Sequence, residues 1–358
     1  MAKKKTKNHI TSEALAVSPS ETLSTETLLA MYRDMLMSRR IDERAWIIHR
    51  QGKIAFHVSA IGQEACQVAA AYAINTGIDY VCPYYRDLAL ALTIGVPPLD
   101  FFKSLYGKAG EISSQGRQMP SHFSVKKLNI VSGSSVVATQ VTHAAGLAFA
   151  IKYRIEQGLQ DPDDENQPRL ALTCLGEGST SQGDWHEALN WAGVHQLPFI
   201  CMVQNNQYAI SESVEKQMAV QNVADRAAAY GIEGVIVDGN DILACYDVLY
   251  MAAQKAYRGE GATLIEAKTY RMTPHSSDDD DRSYRTADEV EAWKEKDPIK
   301  RFQEVLLERG VLTDKLIEEI NAEIMQEVDK TLKTAEAAPL PPPEAAVAPV
   351  YAPVIGGN

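Results

Sequence analysis

Gly176-Glu177-Gly178 and Asn205-Asn206, with 26 residues between them, are the part of this sequence whose residue types could do chemistry together. Each follows an apolar run that reads as a β-strand, residues 169–175 before the first and 198–204 before the second. In a parallel sheet the strand C-termini border the ligand crevice. Glycine lets backbone amides approach a ligand closely. Glu177 brings a hard anionic oxygen, Asn206 a neutral one and Tyr208 a backbone carbonyl. A small hard cation bridging two phosphates takes such an oxygen set and completes octahedral geometry with phosphate and water. A helix predicted to begin near Gly183 would point the positive end of its dipole at the phosphates. Either half alone is equally consistent with a tight turn. The two halves at this spacing, each at a strand end, point to a ligand site.

A second candidate is His275, which follows a predicted strand and a Pro turn and opens a Ser- and Asp-rich loop. Imidazole titrates near neutral pH, so it can pass protons or stabilise developing charge. The four acids at 278–281 read as solvated charge.

The elements that must position these groups alternate. Strands are predicted at 79–85, 169–175, 198–204, 234–237 and 262–268, with helices at 142–157, 183–195 and 243–258. This alternation predicts an α/β fold, a parallel sheet flanked by helices on both faces. A helix capped by Ser24 runs to about Gln51, and residues 61–73 have a helical rhythm. After Pro274 the pattern becomes a loop and then charged helices over 286–332, a helical C-terminal layer. The expected organisation is a flexible basic tail (1–22), one α/β domain (23–335) and a Pro- and Ala-rich tail (336–358). Within the domain we expect a helical N-terminal segment (23–75), a core (76–273), and the active-site loop with its helices (274–335).

Bulk properties bound the function. The 358 residues suffice for a large core, and a formal net charge of -12 disfavours nucleic-acid binding. No apolar run approaches the roughly 20 residues of a membrane helix. The five cysteines form no CxxC pair and sit mostly in apolar runs, as buried thiols of a reducing compartment do. We expect no membrane association and a cytoplasmic location.

The Gly-Glu-Gly…Asn-Asn pattern resembles the thiamine diphosphate motif, with Glu177 where Asp is commoner. The stretch GEGSTSQGDWHEALNWAGVHQLPFICMVQNNQYAIS resembles the E1α subunits of 2-oxo acid dehydrogenase complexes. So do CPYYRDLALAL, GRQMPSHF, GSSVVATQ, VDGND and YRMTPHSSDDDDRSYR, and the resemblance runs from about Ser24 to Leu332. GEG, GRQMPSHF and TPHSSDDDD are most similar to the branched-chain type; pyruvate and acetoin enzymes share the scaffold. The resemblance implies a thiamine diphosphate-binding fold and decarboxylation of a 2-oxo acid. The acyl group then passes reductively to a lipoyl arm on an E2 acyltransferase.

At matching positions the resemblance assigns Mg²⁺ to Glu177, Asn206 and the Tyr208 carbonyl, and the diphosphate to Tyr85 and Arg86. A guanidinium fork suits phosphate oxygens. Ser135 and Val137 would contact the aminopyrimidine side of the cofactor. Ser134, Val136, Thr139 and Gln140 would hold the K⁺ that some relatives bind, or form a plain polar turn. His275 would lie beside the thiazolium, next to Ser276, where some relatives are phosphorylated. Phe56, Met119 and His122 are candidates for the substrate side-chain pocket or ordinary core. The acid that must face the aminopyrimidine is missing. Glu64 looks like part of a structural helix start, so a separate β subunit is implied in an α₂β₂ heterotetramer.

Two other readings stay open on sequence alone. A nicotinamide-binding dehydrogenase would need G-x-G-x-x-G, and Ser181 stands at the third Gly. A non-catalytic homologue should have lost the metal and phosphate residues, which are intact here.

Overall fold

The computed structural model describes residues 17–159 and 167–347. In chain order its strands are β1 (Tyr80–Cys82), β2 (Ala171–Gly176), β3 (Phe199–Asn205), the short ribbon β4 (Tyr208–Ala209) and β5 (Glu212–Ser213), β6 (Glu233–Asp238) and β7 (Thr263–Lys268). Five of them form one parallel sheet in the order β1-β2-β3-β7-β6. The helices are α1 (Thr25–Arg50), α2 (Glu64–Ala73), α3 (Leu88–Ile94), α4 (Pro98–Tyr106), α5 (Thr139–Glu156), α6 (Gly183–His195), α7 (Val214–Gln217), α8 (Ile242–Tyr257), α9 (Ala287–Lys294), α10 (Pro298–Glu308) and α11 (Asp314–Ala337).

The period of two along the strands builds both cores. Leu172, Cys174, Ile200, Met202, Ile265 and Ala267 face a layer that includes α1, α2, α8 and the C-terminal helices. Ala171, Leu175, Cys201, Val203 and Leu264 face α5 and α6. Strands buried on both sides read as continuous apolar runs, so their period was hidden in the sequence. The expected helices on both faces are present.

Register then sets the site. Gly176 pairs with Gln204, and Asn205 with Lys268. The ends of β2, β3 and β7 are therefore flush, and the loops that follow them emerge side by side. β1 is shorter than the predicted 79–85. Pro83 has no N–H, and the Tyr84 N–H donates to Asp87 Oδ2 at 2.9 Å instead of to a strand. That turn frees Tyr85 and Arg86 from the sheet.

The expected tails need correction. Residues 19–22 form a 3₁₀ turn, and Ser20 is tied to Asp247 of α8 by its N–H at 2.7 Å and its Oγ at 2.9 Å. At the other end α11 runs to Ala337. Ala109 N–H then donates to the Pro339 carbonyl at 2.9 Å, and Arg117 donates to the Ala345 carbonyl at 2.8 Å. The rest of both expected tails, 1–16 and 348–358, lies outside the described residues. Among the described residues no helix is long and apolar enough to cross a membrane.

Candidate active site

A cleft of about 390 Å³ opens at the C-terminal ends of β1, β2, β3 and β7. Tyr85 and Arg86 reach it from the turn after β1, Gly176, Glu177 and Gly178 from the end of β2, Asn206 and Tyr208 from the end of β3, and His275 from the loop after β7. Phe56, Met119, His122, Ser135 and Val137 complete its walls. Val58, Ser179, Ala209 and Ile210 also line it, and the sequence reading missed them.

Glu177 is 2% exposed. One carboxylate oxygen accepts the Asn206 N–H at 3.1 Å and the other accepts Gln217 Nε2 at 3.2 Å. Burial pushes its pKa up against these neutral donors. Asn206 Oδ1 in turn accepts the Tyr208 N–H at 3.3 Å. A side chain at Gly178 would place Cβ 2.5 Å from Ala209 Cβ, so glycine alone lets the Glu177 turn meet the Asn206–Ala209 turn. Glu177, Asn206 and Tyr208 are thus linked at one corner, around a desolvated carboxylate whose hydrogen-bond partners are neutral. Among the described residues no three His, Cys, Asp or Glu side chains cluster as a metal site. A metal here would take one carboxylate and neutral oxygens, and would need the ligand's own phosphates to complete its shell.

The predicted α6 N-terminus plays a smaller part than expected. A 3₁₀ turn, Glu177–Ser181, separates it from β2, and Gly183 does not line the cleft.

Two buried guanidiniums supply the positive charge. Arg86 donates from Nη1 to the Ser59 carbonyl at 2.6 Å and from Nη2 to the His275 carbonyl at 3.1 Å. Arg271 donates to the Tyr208 carbonyl at 3.1 Å, the Ile210 carbonyl at 2.6 Å and Tyr284 Oη at 2.8 Å. Neither has a carboxylate partner among the described residues. Burial and the neighbouring Arg86 hold the Arg271 pKa down. Buried guanidiniums that no carboxylate hydrogen-bonds, beside a cleft, fit an anionic ligand.

His275 Nδ1 lies 3.3 Å from Arg86 Nη2. Arginine only donates, so Nδ1 accepts and the ring proton is on Nε2. Burial, then Arg86 and Arg271, lower the His275 pKa to about 4, with Asp279 opposing them. The ring is neutral at physiological pH. Its backbone N–H donates to Asp279 Oδ2 at 2.7 Å.

The acid block was read as solvated charge, and the structure corrects half of that reading. Asp279 also accepts from Tyr284 Oη at 2.5 Å, and Asp281 pairs with Arg285 at 2.6 Å. Arg285 donates to the Thr273 carbonyl at 2.8 Å and to the Arg271 carbonyl. The missed signal was the Tyr-Arg pair on each side of the block, Tyr270-Arg271 and Tyr284-Arg285. Asp278 and Asp280 are mostly exposed, as expected.

On the far wall Ser135 Oγ lies 2.7 Å from His122 Nε2, and His122 Nδ1 lies 3.1 Å from the carbonyls of both Met119 and Pro120. Carbonyls only accept, so Nδ1 carries a proton. Ile210 is 58% exposed and has φ +56°, a costly conformation for a β-branched residue. The Arg271 bond to its carbonyl helps to hold it there.

Ser134, Val136, Thr139, Gln140 and Ser276 do not line the cleft. Ser134 Oγ accepts the Val136 N–H at 3.0 Å. Gln140 is buried, donates to the Cys174 carbonyl at 2.9 Å, and leaves its Oε1 without a partner. Ser276 is only 8% exposed, so a phosphorylated form would need this loop to open. Glu64 is structural, as read: it pairs with Arg39 at 2.6 Å and accepts the Gly62 N–H at 2.8 Å.

Known proteins share much of this sequence. The chain is 48% identical over 330 residues to the 2-oxoisovalerate dehydrogenase subunit alpha of Bacillus subtilis (strain 168), covering 92% of this chain and 97% of that protein. It is 38% identical over 300 residues to the 3-methyl-2-oxobutanoate dehydrogenase subunit alpha of Mycobacterium tuberculosis (strain ATCC 25618 / H37Rv), 84% and 76% of the two chains. The pyruvate dehydrogenase E1 component subunit alpha of Bacillus cereus is 35% identical over 318 residues, 88% and 80% of the two chains. The dehydrogenase E1 component family matches residues 32–344, a span that contains every residue lining the cleft, and the chain belongs to that family.

Proposed function

We propose that this chain is the α subunit of the E1 component of a branched-chain 2-oxo acid dehydrogenase complex, of the 3-methyl-2-oxobutanoate dehydrogenase (2-methylpropanoyl-transferring) type. The observation that carries the reading is the cleft itself, where the buried Glu177 carboxylate, Asn206, the Arg86 guanidinium and a neutral His275 converge. Bound thiamine diphosphate supplies a nucleophilic carbon and an electron sink. The chain's own residues hold it and manage charge. Glu177, Asn206 and the Tyr208 carbonyl would hold Mg²⁺, while Arg86 and Tyr85 would face the diphosphate. Ser135 and Val137 would border the aminopyrimidine. His275, proton on Nε2, would donate to charge developing on the substrate. The partnerless Gln140 Oε1, with Ser134, Val136 and Thr139, supports a K⁺ site behind the wall.

The α₂β₂ heterotetramer belongs to the same proposal. The described residues form one five-stranded parallel sheet besides the two-stranded ribbon, and no acid in the cleft lining other than Glu177 is present to engage the aminopyrimidine. A β subunit would provide that carboxylate, and a lipoyl-bearing E2 acyltransferase would take the acyl group. Five free buried thiols support a cytoplasmic, reducing setting.

Phe56, Val58, Met119 and Ile210 make the pocket wall largely apolar. A branched aliphatic side chain gains from such a wall, each added methylene changing the rate about tenfold or more. The specificity constant for 3-methyl-2-oxobutanoate is therefore expected to exceed that for pyruvate by at least about tenfold. Steady-state kinetics of the complete complex on a panel of 2-oxo acids checks this, and the reverse order would refute the branched-chain assignment.

A further inference from the structure

Between α1 and α2 the chain runs past the cleft, and its residues alternate. Phe56 and Val58 line the cleft, whereas His57 and Ser59 are fully buried. Asp42 of α1 fixes this segment at both ends. One carboxylate oxygen lies 2.8 Å from His57 Nε2, and the other accepts the Ala60 N–H at 2.7 Å. A carboxylate only accepts, so Nε2 carries the imidazole proton. His57 Nδ1 is buried without a hydrogen-bond partner. The rings of Trp46 and Phe101 meet the imidazole edge-on at 5.8 and 6.4 Å.

The segment in turn carries the His275 loop. The His57 N–H donates to Ser277 Oγ at 3.0 Å, and the Ser277 N–H donates back to the His57 carbonyl at 2.9 Å. Two residues on, the Ser59 carbonyl accepts Arg86 Nη1 at 2.6 Å, and Arg86 Nη2 holds the His275 carbonyl at 3.1 Å. Both cleft groups nearest the proposed chemistry are thus tied to residues 57–60, and residues 57–60 are tied to α1 by one carboxylate.

We infer that Asp42 and His57 are positioning residues, which hold the His275 loop and Arg86 in register with the cleft by anchoring residues 57–60 to α1. The inference rests on the proposed role of His275, but the hold itself is measurable without turnover. Neither Asp42 nor His57 lines the cleft.

The test is hydrogen–deuterium exchange, read by mass spectrometry, on the full chain and its Asp42→Asn, His57→Phe and Ser277→Ala variants, together with thermal unfolding. Losing one tie of a buried network opens a local unit before the whole molecule. Amides of residues 273–285 are expected to exchange about tenfold faster or more in each variant, with β2 and β3 unchanged. Ser277→Ala is expected to do so with an unfolding midpoint close to the parent's. Faster exchange spread evenly over the molecule in the first two variants, with the Ser277→Ala loop unchanged, would overturn the inference. Should Asp42→Asn or His57→Phe fail to fold, Ser277→Ala decides alone: a faster loop supports the hold, and an unchanged loop overturns it. A loosened loop with full turnover would instead count against the catalytic role of His275 and leave the hold standing.

Discussion

Glu177→Ala is expected to abolish Mg²⁺-dependent thiamine diphosphate binding while the fold persists. Groups that merely orient a metal ligand cost about 10–100-fold in affinity when removed, so loss of the single carboxylate at this corner should exceed about 100-fold. The apoprotein should not suffer. Burial already raises the Glu177 pKa, so the native state bears a desolvation cost that the alanine variant lacks. The Asn206 N–H and the Gln217 amide lose a hydrogen-bond partner, and Arg271 loses a nearby negative charge. An unfolding midpoint at or above the parent's, with cofactor binding too weak to detect by calorimetry, is the expected pair of results. Unchanged cofactor affinity would remove Glu177 from the metal site.

His275→Ala is expected to lower acyl transfer to the lipoyl group by about 10²–10⁴-fold, the usual worth of a positioned proton donor. Cofactor affinity should be nearly kept, because Arg86 retains its bonds to the Ser59 carbonyl and the residue-275 carbonyl. Full activity of the complex with this variant would refute the assignment. The pH behaviour gives an independent check. With its pKa lowered to about 4, His275 is neutral throughout the physiological range. It should therefore contribute no limb to the rate profile between about pH 5 and 8. Its folded pKa lies below its unfolded value of 6.5. The stability linked to it is present above pH 6.5 and is lost as pH falls through about 4. The alanine variant lacks that term, so its unfolding midpoint should fall less steeply than the parent's over this window.

Much of the cleft was legible because many residues that line it come in short contiguous blocks at strand ends. Gly176–Gly178 and Asn205-Asn206 announce themselves through the glycines and amides that interrupt apolar strands. The walls were harder to read. Val58 and Ile210 are apolar residues whose side of the chain depends on an extended segment and a positive-φ turn, and neither has a local signature. Arg271 looks like any surface arginine until the fold buries it against the Tyr208 and Ile210 carbonyls. The α3 and α4 helices also went unread. Leu88–Ile94 is apolar all round, and α4 is opened by two prolines in succession. The acid block failed for a different reason. Charge runs are usually solvated, and only the partners brought by Tyr284 and Arg285 make Asp279 and Asp281 structural.

The central claim is that this chain holds thiamine diphosphate and its metal but needs a second chain to use them. The direct measurement is 2-oxo acid decarboxylation with thiamine diphosphate and Mg²⁺, first by the purified chain alone and then with its β subunit. Negligible turnover is expected of the chain alone, and turnover of 3-methyl-2-oxobutanoate once the β subunit is added. Robust turnover by the chain alone would contradict the shared site and the α-subunit assignment with it.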